Sequence, residues 1–173
     1  MRFLGNIEAK LDSKGRVFLP ASFRKSFSND AAIKLVLRKD VFQNCLVLYP
    51  EDVWNDLVEK LRSRLSRWNK QHQEIFRQFV YDAEQIELDS NGRFLIPKRY
   101  LQMTNISQRV RFIGMDDMIE IWSGEALEEP LMDAQLFAEG LQAVMQNNNT
   151  SNEDNSQAHG ADNDALKRKN KVV

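Results

Sequence analysis

A ten-residue phrase occurs twice in this chain and constrains its fold more than any other feature. Leu11-Asp12-Ser13-Lys14-Gly15-Arg16-Val17-Phe18-Leu19-Pro20 returns 77 positions later as Leu88-Asp89-Ser90-Asn91-Gly92-Arg93-Phe94-Leu95-Ile96-Pro97. The copies share Leu, Asp, Ser, Gly, Arg and Pro in register, and elsewhere exchange apolar for apolar or one turn residue for another. Such a repeat means that one supersecondary unit is used twice.

The phrase reads as a hairpin turn. Asn-Gly between apolar runs is a strong hairpin signal, because the favoured two-residue turns need positive φ; Lys14-Gly15 is a weaker version. The preceding Asp12 or Asp89 can accept hydrogen bonds from the turn's own N–H groups. Asp12, Gly15, Asp89 and Gly92 are therefore the turn-structuring residues. One position on, Arg16 and Arg93 stand where the turn meets solvent. A local role, pairing with the Asp four residues back, is as well motivated as direct contact with an anion; the two are compatible, since one carboxylate leaves a guanidinium with donors to spare. Duplication favours the anion, because two bare turns do not need Arg at the same place. Each phrase ends in a Pro that leads a short helical pattern.

The chain has 173 residues, 42% of them hydrophobic, enough for one intertwined domain built from two half-units but compact for two independent ones. The single Cys45 excludes an internal disulfide framework and reads as a core thiol in a reducing compartment. Met1 to Gly5 runs straight into the first strand without a signal peptide, and no apolar stretch approaches membrane-spanning length, so a soluble, cytoplasmic protein is expected. Net charge is −1, but residues 1–30 carry six Lys/Arg against three acids, 58–79 carry six against two, and 115–146 carry eight acids and no base. The overall balance thus conceals an anion-binding face.

Along the chain, residues 1–50 form the first unit. Asn6 to Leu11 alternates as a half-buried strand, the turn and Val17-Phe18-Leu19 follow, then the Pro20 helix with Arg24 and Lys25, and strands at 33–37 and 45–49. Residues 51–79 form a connecting helix or helix pair, with an apolar stripe from Trp54 to Phe79 and a basic face of Lys60, Arg62, Arg64, Arg67 and Lys70. His72 there reads as a surface residue. Residues 80–122 repeat the first unit: Val80 to Leu88, the second turn, a Pro97 helix with Lys98 and Arg99, and strands at 110–113 and 118–122. Residues 123–146 are helical from Glu125 with an interruption at Pro130. Residues 147–173 are too polar to offset the cost of ordering and read as a disordered tail. The fold class is α+β, with two β-β-α-β-β units.

Two copies of Leu-Asp-x-x-Gly-Arg-x-x-[Leu/Ile]-Pro, together with Phe3-Leu4-Gly5, closely resemble the MraZ family of bacterial transcriptional regulators over residues 1 to 146. One copy alone points to the wider AbrB/SpoVT/MazE superfamily of swapped-hairpin DNA-binding domains. The resemblance implies two looped-hinge units folded together as an intertwined pseudo-dimeric β-barrel and assembled into a homo-oligomeric ring. It also implies repression through short direct repeats upstream of the division and cell-wall gene cluster, and therefore a nucleoid-associated protein. Arg16 and Arg93 match the family's motif arginine. The tail after Gln146 lies outside the pattern.

The leading expectation is a sequence-specific regulator whose partner is double-stranded DNA, contacted by Lys14, Arg16, Arg24, Lys25, Arg93, Lys98 and Arg99. The first hairpin should contribute more, because Lys14 adds a charge where the second has Asn91. The alternative is an antitoxin-like interaction module whose tail wraps a partner protein. No Ser/His/Asp or Cys/His arrangement, phosphate loop or metal-ligand cluster is present in the sequence. Neither catalytic residues, a cofactor, a metal nor a small-molecule substrate is expected.

Overall fold

A computed structural model describes residues 2–27, 33–125 and 131–153. The chain divides into two units, Met1–Leu127 and Glu128–Val173. In the first, β1 (Phe3–Lys10), β2 (Arg16–Phe18), α1 (Ala21–Arg24), β3 (Lys34–Lys39) and β4 (Leu46–Pro50) precede a helical pair, α2 (Glu51–Ser63) and α3 (Lys70–Tyr81). The pattern then repeats as β5 (Glu84–Glu87), β6 (Arg93–Leu95), α4 (Lys98–Met103), β7 (Arg109–Asp116) and β8 (Met118–Ser123).

The two halves exchange strands. The larger sheet has the order β1-β7-β8-β4-β3-β5, and the smaller is the ribbon β2-β6. The first strand of each half lies on the third strand of the other, with Ile7 opposite Phe112 and Ile86 opposite Leu35. The fourth strands meet at Val47 and Glu120, and the second strands at Val17 and Phe94. Among the described residues, only the hairpins β3-β4 and β7-β8 pair strands from the same half. Every ladder is antiparallel. The expected barrel is not closed among the described residues: β1 and β5 end the larger sheet, and the ribbon is separate from it. Each ribbon strand has three residues and stops two positions before Pro20 or Pro97, which has no N–H to extend a ladder.

The sheets enclose one core. Phe3, Val17, Leu37, Phe94, Tyr100, Val110, Phe112 and Ile121 are all buried in a single cluster drawn from both halves. Within the apolar run Val17-Phe18-Leu19, Val17 and Leu19 are fully buried while Phe18 is half exposed, as the two-residue period of a strand requires. Tyr100 stands where the first half has Phe23, and its hydroxyl donates to the Asp82 carbonyl at 2.6 Å. Cys45 is buried and free, and burial pushes its thiol up to about 12.

The connecting segment is a helix pair. Glu51 and Asp52 face the positive end of α2, and Asn69 caps α3 by accepting from His72 N at 3.1 Å. Residues Val80 and Tyr81, expected to open a strand, instead finish α3. His72 is half-buried and its Nδ1 accepts from Ser66 N, so it organises the turn between the helices rather than lying idle on the surface. Trp54 lies between Tyr49 and Phe79, stacking on the latter with ring centroids 5.5 Å apart.

The second unit contributes α5 (Ala134–Glu153). The expectation of helix from Glu125 falls partly outside the described residues, and the helix begins after Pro130, with Asp133 accepting from Gln135 N at 2.9 Å as its cap. The helix continues through 147–153, where disorder was expected, because extending an existing helix costs far less than starting one. The rest of the expected tail lies outside the described residues.

Candidate nucleic-acid interface

Both repeated phrases fold into the same fastened turn, but not into the expected hairpins: β1 pairs with β7, β5 with β3 and β2 with β6, so the strands on either side of each turn pair with the other half rather than with each other. Asp12 Oδ1 accepts from Lys14 N and Arg16 N, each at 2.9 Å, while Oδ2 accepts from Arg16 Nε at 2.7 Å. Asp89 does the same with Asn91 N, Arg93 N and Arg93 Nε, all at 2.9 Å. Gly15 and Gly92 both take φ +81°, a conformation that side chains disfavour. The two turns also lock each other: Leu19 N donates to the Gly92 carbonyl and Ile96 N to the Gly15 carbonyl, each at 3.0 Å.

The fastening orients both arginines on one surface. In the ribbon, Arg16 is opposite Leu95 and Phe18 opposite Arg93, while Val17 and Phe94 face the core. Arg16, Phe18, Arg93 and Leu95 therefore share the outer face, with the arginines on one diagonal. Each Arg uses its Nε on its own Asp, so the terminal guanidinium nitrogens remain able to donate elsewhere; the guanidinium carbon of Arg93 lies 5.6 Å from the Phe18 ring centroid. A two-stranded ribbon with this face has the width that a DNA major groove admits.

The other basic residues take different positions. Lys14, Lys25 and Lys98 are exposed. Arg24 reaches across to the second turn, where its Nη1 lies 3.5 Å from the Asn91 carbonyl and a Cβ on Gly92 would stand only 2.2 Å from it. Leu101, at the matching position of α4, covers Gly15 in the same way. Arg99 pairs with Glu84 at 3.0 Å and Asp82 at 3.8 Å, although it is 45% exposed. Local spacing discloses neither the Arg24 and Leu101 contacts, which cross between the halves, nor the Arg99 pairs, which lie within one. The repeat alignment of Arg24 with Leu101 was the one available signal.

Two predictions test the turns. Gly92→Ala should destabilise the fold by about 1–3 kcal/mol in urea unfolding, from left-handed strain plus displacement of Arg24. Gly15→Ala should cost less, since its added Cβ stands no closer than 3.4 Å to a neighbour. Second, the carboxyls of Asp12 and Asp89 are held below the usual range, first by the backbone N–H of Arg16 or Arg93 and further by the same side chain. A depressed folded-state pKa gives stability that is complete above the ordinary carboxylate value near 4 and is lost as pH falls through the lower folded value. Asp12→Asn with Asp89→Asn should therefore flatten the acid limb of stability measured from pH 5 to 2; an unchanged limb would place acid sensitivity elsewhere.

Comparison with known proteins agrees with the doubled architecture. A family model described as "MraZ protein, putative antitoxin-like" matches residues 2–78 and again 79–142. The chain is 59% identical over 149 residues to a protein of Phocaeicola vulgatus named "Transcriptional regulator MraZ", spanning 86% of this chain and 97% of that one. A Bacteroides fragilis protein of the same name is 58% identical over 145 residues, 84% of this chain and 92% of its own. A more distant relative of that name, from Caldanaerobacter subterraneus, is 39% identical over 126 residues, 73% of this chain and 84% of its own. With the family model matching both halves and these identities running across them, the chain belongs to the MraZ family.

Proposed function

We propose that this protein is a sequence-specific DNA-binding transcriptional regulator that reads DNA with the outer face of its β2-β6 ribbon. The observation that carries the reading is the pair of arginines, Arg16 and Arg93, held on one face by their own aspartates. The names of the relatives, transcriptional regulators, support it. Arg16 and Arg93 are the residues that reach base edges; Lys14, Lys25 and Lys98 contact phosphates, which set register and orientation without carrying sequence information. Arg24 and Arg99 act mainly by holding the turn and α4 in place. The family resemblance supplies the finer expectations: repression of the division and cell-wall gene cluster through short direct repeats upstream of its own operon, and a homo-oligomeric ring acting in the cytoplasm at the nucleoid. A ring adds affinity on tandem repeats, because after the first contact each further one forms at high effective concentration.

Arg16→Ala is expected to weaken binding to the upstream repeats by about 1–3 kcal/mol and to relax preference at the base it reads. Lys14→Ala should instead weaken all duplexes alike and make the salt dependence shallower. Gel shift against the upstream DNA and a scrambled duplex measures both. Arg93→Ala, compared in the same assay, tests whether the first turn contributes more. The antitoxin-like character given to the family favours one alternative, an antitoxin-like protein-interaction module. Co-purification of a stable protein partner, lost on deleting 147–173, would support that reading instead.

A further inference from the structure

Among the described residues, Arg38 is the one charged side chain that is buried, at 6% exposure. Its place follows from the strand. Leu35 and Leu37 of β3 enter the core, so the two-residue period puts Val36 and Arg38 on the opposite face, toward the helix pair. Buried charges are ordinarily paired. Arg38 is not: its Nε has no hydrogen-bond partner, and among the described residues its guanidinium enters no hydrogen bond or ion pair. What holds it is the Phe79 ring, 4.2 Å beneath the guanidinium carbon. Phe79 in turn lies flat on Trp54, with 2° between the ring planes, so the cation is fixed in position.

Arg38 lines a cavity of about 510 Å³, a volume ordinary for a small-molecule site. Its apolar walls include Leu61 of α2, Ile75 and Phe79 of α3, and Met103 of α4. The other charged groups of the lining already have partners. Lys39 Nζ donates to the Asp40 carbonyl at 3.2 Å and to the Gln43 carbonyl. Asp40 Oδ1 accepts from Phe42 N at 2.9 Å and Gln43 N at 2.6 Å, and the Asp82 carboxylate lies 3.8 Å from Arg99 Nη1. The lining therefore lacks one thing, an anion for Arg38.

We propose that this cavity binds a small amphipathic monocarboxylate, with its carboxylate on the terminal nitrogens of Arg38 and its apolar body along Leu61, Ile75, Phe79 and Met103. The planar fork of a guanidinium matches a carboxylate, and pairing supplies what a buried charge needs. A single unpaired cation near two carboxylates suits one negative charge; a phosphate dianion is repelled by Asp40 and Asp82. The site is separate from the ribbon and does not depend on DNA reading.

Isothermal titration calorimetry of the full-length protein with octanoate, octanol and inorganic phosphate tests this, with melting temperatures measured alongside. Octanoate should bind saturably at a single site per chain, octanol more weakly and phosphate not at all. Arg38→Met should weaken octanoate at least about 10-fold, the worth of a hydrogen bond to a charged group, and leave octanol unaffected. The same variant should melt no lower than wild type, because Met keeps a contact with Phe79 and the unpartnered charge is gone. Ile75→Glu, at a half-exposed position of the wall, should abolish octanoate binding by repulsion, and it carries the test should Arg38→Met misfold. Equal binding of octanoate and octanol, or octanoate binding that survives these variants, overturns the proposal. So does the absence of saturable octanoate binding in the millimolar range. Phosphate binding lost in Arg38→Met would overturn the monocarboxylate class. A lower melting temperature with octanoate binding unaltered would reduce Arg38 to a structural stack on Phe79.

Discussion

Fragments 1–66 and 67–146, cut within the exposed turn between α2 and α3, are each expected to be unfolded alone and to fold when mixed. The reason is the strand exchange. Four ladders, β1-β7, β3-β5, β2-β6 and β4-β8, join one half to the other, and only the hairpins β3-β4 and β7-β8 survive separation. An isolated hairpin is at best marginal in water. Each fragment would also expose its share of the single core, including Phe3 and Leu37 in one and Phe94 and Phe112 in the other. Circular dichroism of each fragment and of the mixture measures the result. A fragment that melts cooperatively as a monomer would show that a half-unit is an independent domain.

Phe112→Ala should destabilise the protein by about 3–5 kcal/mol, a large part of the stability of a domain this size. Phe112 is fully buried, pairs with Ile7 on one side and Ile121 on the other, and packs edge-on against Phe94 with centroids 6.4 Å apart. It thus ties the larger sheet to the underside of the ribbon whose outer face carries the arginines. Removing the ring leaves a void that neighbours on three strands can fill only in part. Urea unfolding should show the loss as a lower midpoint with an unchanged slope; a loss below about 1 kcal/mol would mean that the site collapses without cost. At a permissive temperature DNA binding should weaken less than stability, since no Phe112 atom lies on the outer face.

The sequence revealed the turns because their chemistry is confined to five residues. Asp12, Gly15 and Arg16 supply the carboxylate, the positive φ and the donors, and no distant residue is needed to recognise them. Pairing of Asp with Arg and an arginine available to DNA stood as compatible readings, and the geometry accommodates both. Helix existence was similarly legible, because apolar spacing reports it. What the chain did not disclose was where one half meets the other. The position of Arg24 over Gly92 depends on a contact 68 positions away in sequence; within the second half, the pairing of Arg99 with Asp82 and Glu84 joins α4 to the end of α3 and the start of β5, which local spacing hides equally. From local spacing both arginines look like solvent-facing charges. The end of α3 was misplaced for a related reason: Val80-Tyr81 is apolar enough for a strand, but helical hydrogen bonding runs through it.

DNA reading by the ribbon is tested by titrating upstream DNA and a scrambled duplex with wild-type protein and with the double variant Arg16→Ala, Arg93→Ala at one salt concentration. The wild type should prefer the upstream DNA, and the double variant should lose that preference while keeping its fold and a weak affinity for any duplex through its lysines. An undiminished preference in a folded double variant would place recognition on a surface other than the ribbon.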